Sequence, residues 1–275
     1  MMTNNSHMNR TDLALELIKD GISRKERRIH GLLLTETELP ESNALGKPAG
    51  IYTTLHCDSH LEYDEDAEVD ALSRVLAAFI PEKGRILVAG LGNANITPDS
   101  LGVRAASKIA ATAHLSQSEE FTELGMREVF VVETGVLAQT GMESSRQLGF
   151  IADGIKPDMV VVIDSLACAE PERLARTIQV TNTGIAPGSG VGNSRQEISK
   201  RTLGCGCEVV ALGVPTVIDL SSICPGITDS FGGEAMVVPR DIDSVINRFA
   251  KVISRALNRV LVPTLTEEEI EKLRF

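Results

Sequence analysis

Tryptophan is absent from this 275-residue chain, and two Tyr and seven Phe are its only aromatic rings. A base-stacking platform for nucleic acid has little to be built from. Positive charge is also in deficit: 27 Lys and Arg against 38 Asp and Glu leave a net charge of −11. Such a chain repels phosphate backbones, so no direct nucleic-acid partner is expected, while a basic protein or peptide is compatible. No apolar run approaches the roughly 18 residues of a membrane-crossing helix, so no membrane partner is expected either. The first ten residues are polar and carry no secretory signal. Cysteine is sparse and odd in number (Cys57, Cys168, Cys205, Cys207, Cys224), which reads as reduced thiols in a cytoplasm-like compartment. Cys205 and Cys207 lie closer together than a zinc pair, and no second pair follows. The chain has no H-E-x-x-H, no G-x-S-x-G and no P-loop. His56 and His60 flank Cys57 and Asp58, but their strand-like setting does not support a metal site. No cofactor or metal is expected.

The pattern that is present alternates. A short helical spacing covers Asp12–Lys19. Strands are predicted at Ile29–Thr35 and Ile51–Leu55, and an amphipathic helix at Asp64–Ile80. Arg85–Ala89 reads as a strand, Pro98 opens a helix through about His114, and Arg127–Val132 is a further strand. A helix over Glu143–Gly154 precedes Met159–Ile163, a continuous apolar run suited to a strand buried on both faces. Thr177–Val180 and Glu208–Leu212 complete the strands, and helices follow at Ile242–Leu261 and Leu265–Leu273. Residues 215–239 carry no assignable pattern. This order predicts an α/β three-layer sandwich with a mainly parallel central sheet, residues 10–275 forming one domain behind a flexible extension at 1–9.

Four segments follow strands and can carry chemistry. Gly90–Asp99 lacks the third glycine of a dinucleotide fingerprint, with Asn95 in its place. It remains a tight loop at the ligand edge of the sheet, with Asn93 and Asn95 as candidate substrate-binding residues. Asp99 there has a plain alternative role, an acid offsetting a helix dipole. Asp164 ends a buried strand at the same edge, where it could simply cap the next turn. Two acids from two strands at one edge suit a pair that shares a proton and works on water and a peptide carbonyl. The segment Thr181–Asn193 is dense in Gly and Pro. Its backbone around Gly188, Ser189, Gly190, Gly192 and Asn193 can hold an extended peptide or an oxyanion, or can be only a surface loop. Gly135–Ser145 can wall the same edge, with Ser144 and Ser145 as alternative helix caps.

These stretches resemble the germination proteases of endospore-forming bacteria. The likeness is carried by RTDLA at Arg10–Ala14, GLGNANITPDSLG at Gly90–Gly102, KPDMVVVIDSLA at Lys156–Ala167, TIQVTNTGIAPGSGVGN at Thr177–Asn193 and ALGVPTVID at Ala211–Asp219. It runs from about Arg10 to Leu257. The resemblance implies an endopeptidase that degrades small acid-soluble spore proteins at germination. It implies an atypical aspartic protease whose two essential acids match Asp99 and Asp164. It also implies a fold similar to hydrogenase maturation proteases, a homotetramer, a zymogen with a propeptide within residues 1–9, and the spore core (cytoplasm) as location. The family's long insert between Asp219 and Val237 is short here. A metal-assisted peptidase of the hydrogenase-maturation type and a non-catalytic peptide-binding homologue are the alternatives.

Overall fold

The computed structural model describes residues 11–18, 22–41, 43, 45–57, 63–192, 195–224 and 235–274. Among these residues nine strands form one sheet: β1 (Arg24–Ile29), β2 (Leu32–Leu39), β3 (Gly50–His56), β4 (Ile86–Leu91), β5 (Val129–Thr134), β6 (Met159–Cys168), β7 (Thr177–Thr181), β8 (Glu208–Asp219) and β9 (Met236–Val237). Their order is β1-β2-β3-β7-β8-β6-β4-β5, with β9 beside β8. The helices are α1 (Ala14–Leu17), α2 (Glu65–Phe79), α3 (Leu101–Ala106), α4 (Glu119–Glu123), α5 (Leu137–Thr140), α6 (Ser144–Ile155), α7 (Lys200–Leu203), α8 (Leu220–Ile223), α9 (Ile242–Leu261) and α10 (Glu267–Leu273).

Strands β8, β6, β4 and β5 run parallel, while β1, β2, β3 and β7 extend the sheet antiparallel. Helices cross over between β4, β5 and β6 in the parallel half, and β1, β2 and β3 follow one another directly in the other. The predicted strand Ile29–Thr35 is in fact the corner of the β1–β2 hairpin. His30 and Gly31 both take positive φ (50° and 85°), the combination a two-residue primed turn requires.

The sandwich is three layers deep. Ile86, Val88, Val161, Ile163, Val210 and Leu212 face α2, α3 and α9, and the alternate residues Leu87, Ala89, Val160, Val162, Val209 and Ala211 face α6 and α7. Burial on both faces is why these strands read as unbroken apolar runs. Each such Val, Leu or Ile contributes roughly 1.5–3 kcal/mol.

Further segments depart from the sequence reading. Strand β6 does not end at Asp164 but runs on to Cys168, held by its ladder with β8. The helix expected from Pro98 to about His114 is broken into a 3₁₀ turn (Thr97–Asp99), α3 and a second 3₁₀ turn (Ala113–Leu115). Its backbone finds outside partners instead: Ala110 N–H donates to Asn258 Oδ1 (3.0 Å) and Thr112 N–H to Val129 O (3.0 Å). Strand β8 runs past Leu212 and through Pro215, where the register with β6 shifts. A bulge tolerates the missing N–H, and the Pro215 carbonyl accepts from Ala175 N–H (2.8 Å). Cys205 and Cys207, read as thiols, are joined in a disulfide, while Cys168 and Cys224 are free thiols. Among the described residues no helix is long and apolar enough to cross a membrane. The extension at residues 1–9 lies outside them.

Candidate active site

The site grows from the carboxyl end of the parallel strands. Strand β4 ends at Leu91, and Gly92 turns the chain with φ at 116°. A Cβ at Gly92 would lie 1.9 Å from the Asp99 carbonyl oxygen, so only glycine lets the 3₁₀ turn fold back over the strand. Asn93 N–H then donates to Asp99 Oδ2 (2.8 Å). The Asn93 side-chain oxygen accepts from Asn95 N–H (3.0 Å) and from Gln139 Nε2 (2.7 Å). Asn93 therefore holds Asp99 and joins its loop to α5, while Asn95 projects into solvent.

Asp164 belongs to β6 itself and is only 4% exposed. The strand alternation sends its side chain to the α6 face, with Val160 and Val162. Its β8 partner is Gly213, where a Cβ would lie 2.4 Å from the Asp164 carbonyl oxygen. Asp164 Oδ1 accepts from Ser165 N–H (2.8 Å).

The two acids share one electrostatic environment. Burial raises the Asp99 carboxyl above the usual range, partly offset by the Asn93 N–H and by the Arg195 charge. Burial raises Asp164 well above that range, helped by the charges of Asp99 and then Asp12, and opposed by Ser165 N–H and Arg195. Desolvation and a like charge act together on Asp164.

The glycine-rich segment follows β7. Ile185 and Ile198 bond reciprocally (2.9 and 2.7 Å) and close its base. Gly184, at φ 85°, packs so tightly that a Cβ would meet Ile198 O at 2.1 Å. Gly188 (φ 73°) and Gly192 (φ 71°) bound a 3₁₀ turn, Ser189–Val191. The Ser189 and Gly192 amides bond within the loop, to Ala186 O (3.2 Å) and Ser189 O (3.3 Å). Ser189 Oγ donates to Asp12 Oδ1, and Gly190 packs against Asp12 and Ala167. Asn193, also predicted to bind substrate, lies outside the described residues.

The Gly135–Ser145 segment walls this edge. Gln139 reaches Asn93, and Ser145 Oγ donates to Gln196 Oε1 (3.0 Å). Neither Ser144 nor Ser145 caps α6, being its first two residues. Sequence reasoning missed Asp12, Arg195 and Gln139. The signal for Asp12 lay in the RTDLA stretch, and Arg195 stands two residues past the glycine-rich run. Among the described residues no three His, Cys, Asp or Glu side chains gather as a metal-ligand group, and His60 is outside them. A crevice of about 760 Å³ lined by Gly84, Arg85, Arg127 and Asp158 lies at the opposite, amino end of the parallel strands. Open α/β sheets take ligands at the carboxyl end, so the acids mark the better candidate.

The model of the germination protease family matches residues 2–231. A germination protease of Clostridium perfringens (strain ATCC 13124) is 33% identical over 321 aligned residues, covering 96% of this chain and 98% of that protein. One from Caldanaerobacter subterraneus subsp. tengcongensis is 36% identical over 319, covering 96% and 97%. Both alignments are longer than this 275-residue chain, so these relatives hold internal sequence that it lacks. A nickel–iron hydrogenase maturation protease from Thermococcus kodakarensis KOD1 covers 67% of this chain and 99% of that one at 20% identity and a TM-score of 0.39; so distant a likeness carries no argument. The family model and the two nearly full-length relatives agree: the chain belongs to the germination protease family, and is accordingly a peptidase.

Proposed function

We propose that this peptidase is an endopeptidase for small acid-soluble spore proteins, working with Asp99 and Asp164 as an acid–base pair. The observation that carries the reading is Asp164: a carboxyl within β6, only 4% exposed, raised by burial and by the charge of Asp99. Two carboxylates that feel each other do not both ionise readily, and they titrate as a pair. Asp164, the more buried, keeps the proton. Asp99, with the Asn93 N–H on its oxygen, is the ionised member.

In this mechanism Asp99 takes a proton from a water molecule as the water oxygen attacks the scissile carbonyl carbon. Asp164 donates a hydrogen bond to the carbonyl oxygen as that oxygen gains charge, and Arg195 offsets the negative charge of the pair. Collapse of the tetrahedral intermediate breaks the C–N bond, and the proton held by Asp99 passes to the leaving amine. The loop around Gly188 and Gly190 lies alongside and takes the extended substrate backbone. The same reading includes a homotetramer and removal of residues before Arg10 in the spore core. Light scattering and N-terminal sequencing after incubation test those two points.

The sign of the pH dependence follows. Activity needs one proton on the pair, so kcat/KM falls as pH rises through the upper apparent pKa. Both acids are raised, so the falling limb is expected well above the ordinary aspartate value of about 3.9. A pH series of initial rates checks this. Function itself is tested by incubating the purified chain with a small acid-soluble spore protein in the presence of a chelator. Discrete fragments are the expected result. Binding without cleavage would replace the enzyme by a binding homologue, and cleavage that needs a divalent ion would replace the two-acid mechanism.

A further inference from the structure

We propose that Asp12, in the segment that precedes α1, is a positioning residue for the peptidase reaction: it clamps the glycine-rich loop to the end of β6, beside Asp164. The inference rests on the reading of Asp99 and Asp164 given above.

Asp12 joins two elements that otherwise approach each other as bare backbone. Its N–H donates to Ala167 O (3.0 Å), and its Oδ2 accepts from Ala167 N–H (2.8 Å). Backbone and side chain together thus bind both polar groups of Ala167, three residues past Asp164 in β6. Its other carboxylate oxygen accepts from Ser189 Oγ in the glycine-rich turn. Gly190 is fitted into the same corner, since a Cβ there would lie 2.5 Å from Asp12 Oδ2 and 2.6 Å from Ala167 Cβ. One carboxylate therefore fixes strand and loop at once.

The clamp is itself held. Gln179 of β7 donates from Nε2 to Asp12 O (3.2 Å) and accepts from Ala14 N–H at Oε1 (2.8 Å). Lys47 Nζ donates to the carbonyls of Thr11 and Asp12, both at 3.2 Å. Glu16 accepts from Ala169 N–H (2.7 Å) and Glu170 N–H (2.9 Å). A terminal segment that only needed anchoring would be satisfied by these bonds. Asp12 adds a charged contact to a loop whose only place in the reaction is beside the acids.

Asp12 also places a second negative charge on Asp164. The charged groups that act on Asp164 are Asp99 from the 3₁₀ turn, Asp12 from the N-terminal segment and Arg195 from the end of the glycine-rich loop. Removing the Asp12 charge while keeping its shape therefore favours ionisation of Asp164. A clamp that merely held the fold together would leave the pH profile where it is.

The test compares Asp12→Ala and Asp12→Asn with the parent and with Asp99→Asn, using an intact small acid-soluble spore protein as substrate and circular dichroism to verify folding. Asp12→Ala is expected to lose about 100-fold in kcat/KM, the effect of displacing a reacting group by about 1 Å. In Asp12→Asn an amide oxygen still meets Ala167 N–H and an amide N–H can meet Ser189 Oγ. That variant is expected to recover most of the rate at low pH and to show its falling limb at lower pH than the parent. An Asp12→Ala rate within twofold of the parent, or an Asp12→Asn limb that does not move, overturns the inference. If Asp12→Ala does not fold, the Asp12→Asn limb decides alone. Asp99→Asn separates the two levels: full activity there sinks the acid-pair reading, whereas an inactive Asp99→Asn beside unaffected Asp12 variants sinks only the role of Asp12.

Discussion

Asp164→Asn is expected to fold and to be inert, with kcat/KM on a small acid-soluble spore protein lowered by at least about 1,000-fold, within the range for loss of a general acid or base. Asp99→Asn is expected to do the same, because the two act as a unit and neither amide can carry the proton. Stability separates loss of chemistry from loss of fold. Burial raises Asp164 well above the usual carboxylate range. A group raised in the folded state favours folding fully only below its unfolded value of about 3.9, and that contribution is lost as pH rises through the folded value. At pH 7 the parent therefore bears the cost of a buried acid, and Asp164→Asn does not. The melting temperature of Asp164→Asn at pH 7 should match or exceed that of the parent. An inactive Asp164→Asn that melts well below the parent would point to structure, not chemistry.

Gly102→Ala should be among the most damaging single methyls at the described residues. A Cβ at Gly102 would lie 2.2 Å from Ile163 O, 2.4 Å from Leu91 O and 2.6 Å from Leu91 N. All three are backbone atoms of β4 and β6, so no side chain can swing away. Gly90 stands opposite, where a Cβ would meet Gly102 O at 2.2 Å. The pair lets the α3 backbone touch the sheet directly, and α3 follows the turn that carries Asp99. Overpacking a close-packed core costs about 1–3 kcal/mol and occasionally more; contact with three rigid atoms puts Gly102→Ala at about 3 kcal/mol or above in urea denaturation. Any protein that survives should be slow as well, since α3 can yield only by moving Asp99 away from Asp164. Gly154→Ala is the control. Gly154 lies in α6 with nothing within 4 Å of its Cβ position, and is expected to be neutral or stabilising by up to about 1 kcal/mol.

The sequence disclosed the parts of the fold that depend on local periodicity. Helix α9 begins and ends at the predicted residues, Ile242 and Leu261, because one face of it meets the core along its whole length. The start of β6 was legible for a similar reason: five successive apolar residues, Met159–Ile163, fit burial on both faces. What failed was decided at a distance. Nothing local to residues 107–114 shows that Ala110 will donate to Asn258, 148 residues on. Pro215 argues against a strand unless the bulge opposite Ala167 is already known. The hairpin corner at His30-Gly31 does have a local cause, yet one glycine in an apolar stretch is a faint signal.

The site divided in the same way. Asp99 and Asp164 stood out because each follows a strand-like apolar run, Arg85–Ala89 or Met159–Ile163, although β6 in fact continues through Asp164 to Cys168. Asn93, a candidate substrate contact from its place in the loop, bonds to Asp99, Asn95 and Gln139. Asp12 and Arg195 stayed hidden, because an isolated charge shows nothing until the chain between it and the site has folded.

The proposed chemistry rests on one proton shared between two side chains. The direct measurement is carboxyl ¹³C NMR of the aspartates across pH 3 to 9, in the parent and in Asp99→Asn. The predicted result is one aspartate carboxyl in the parent that stays protonated far above the others and titrates at lower pH once the Asp99 charge is gone. Asp99 and Asp164 both ionising near the ordinary value of about 4, with Asp164 indifferent to the Asp99 substitution, would contradict it.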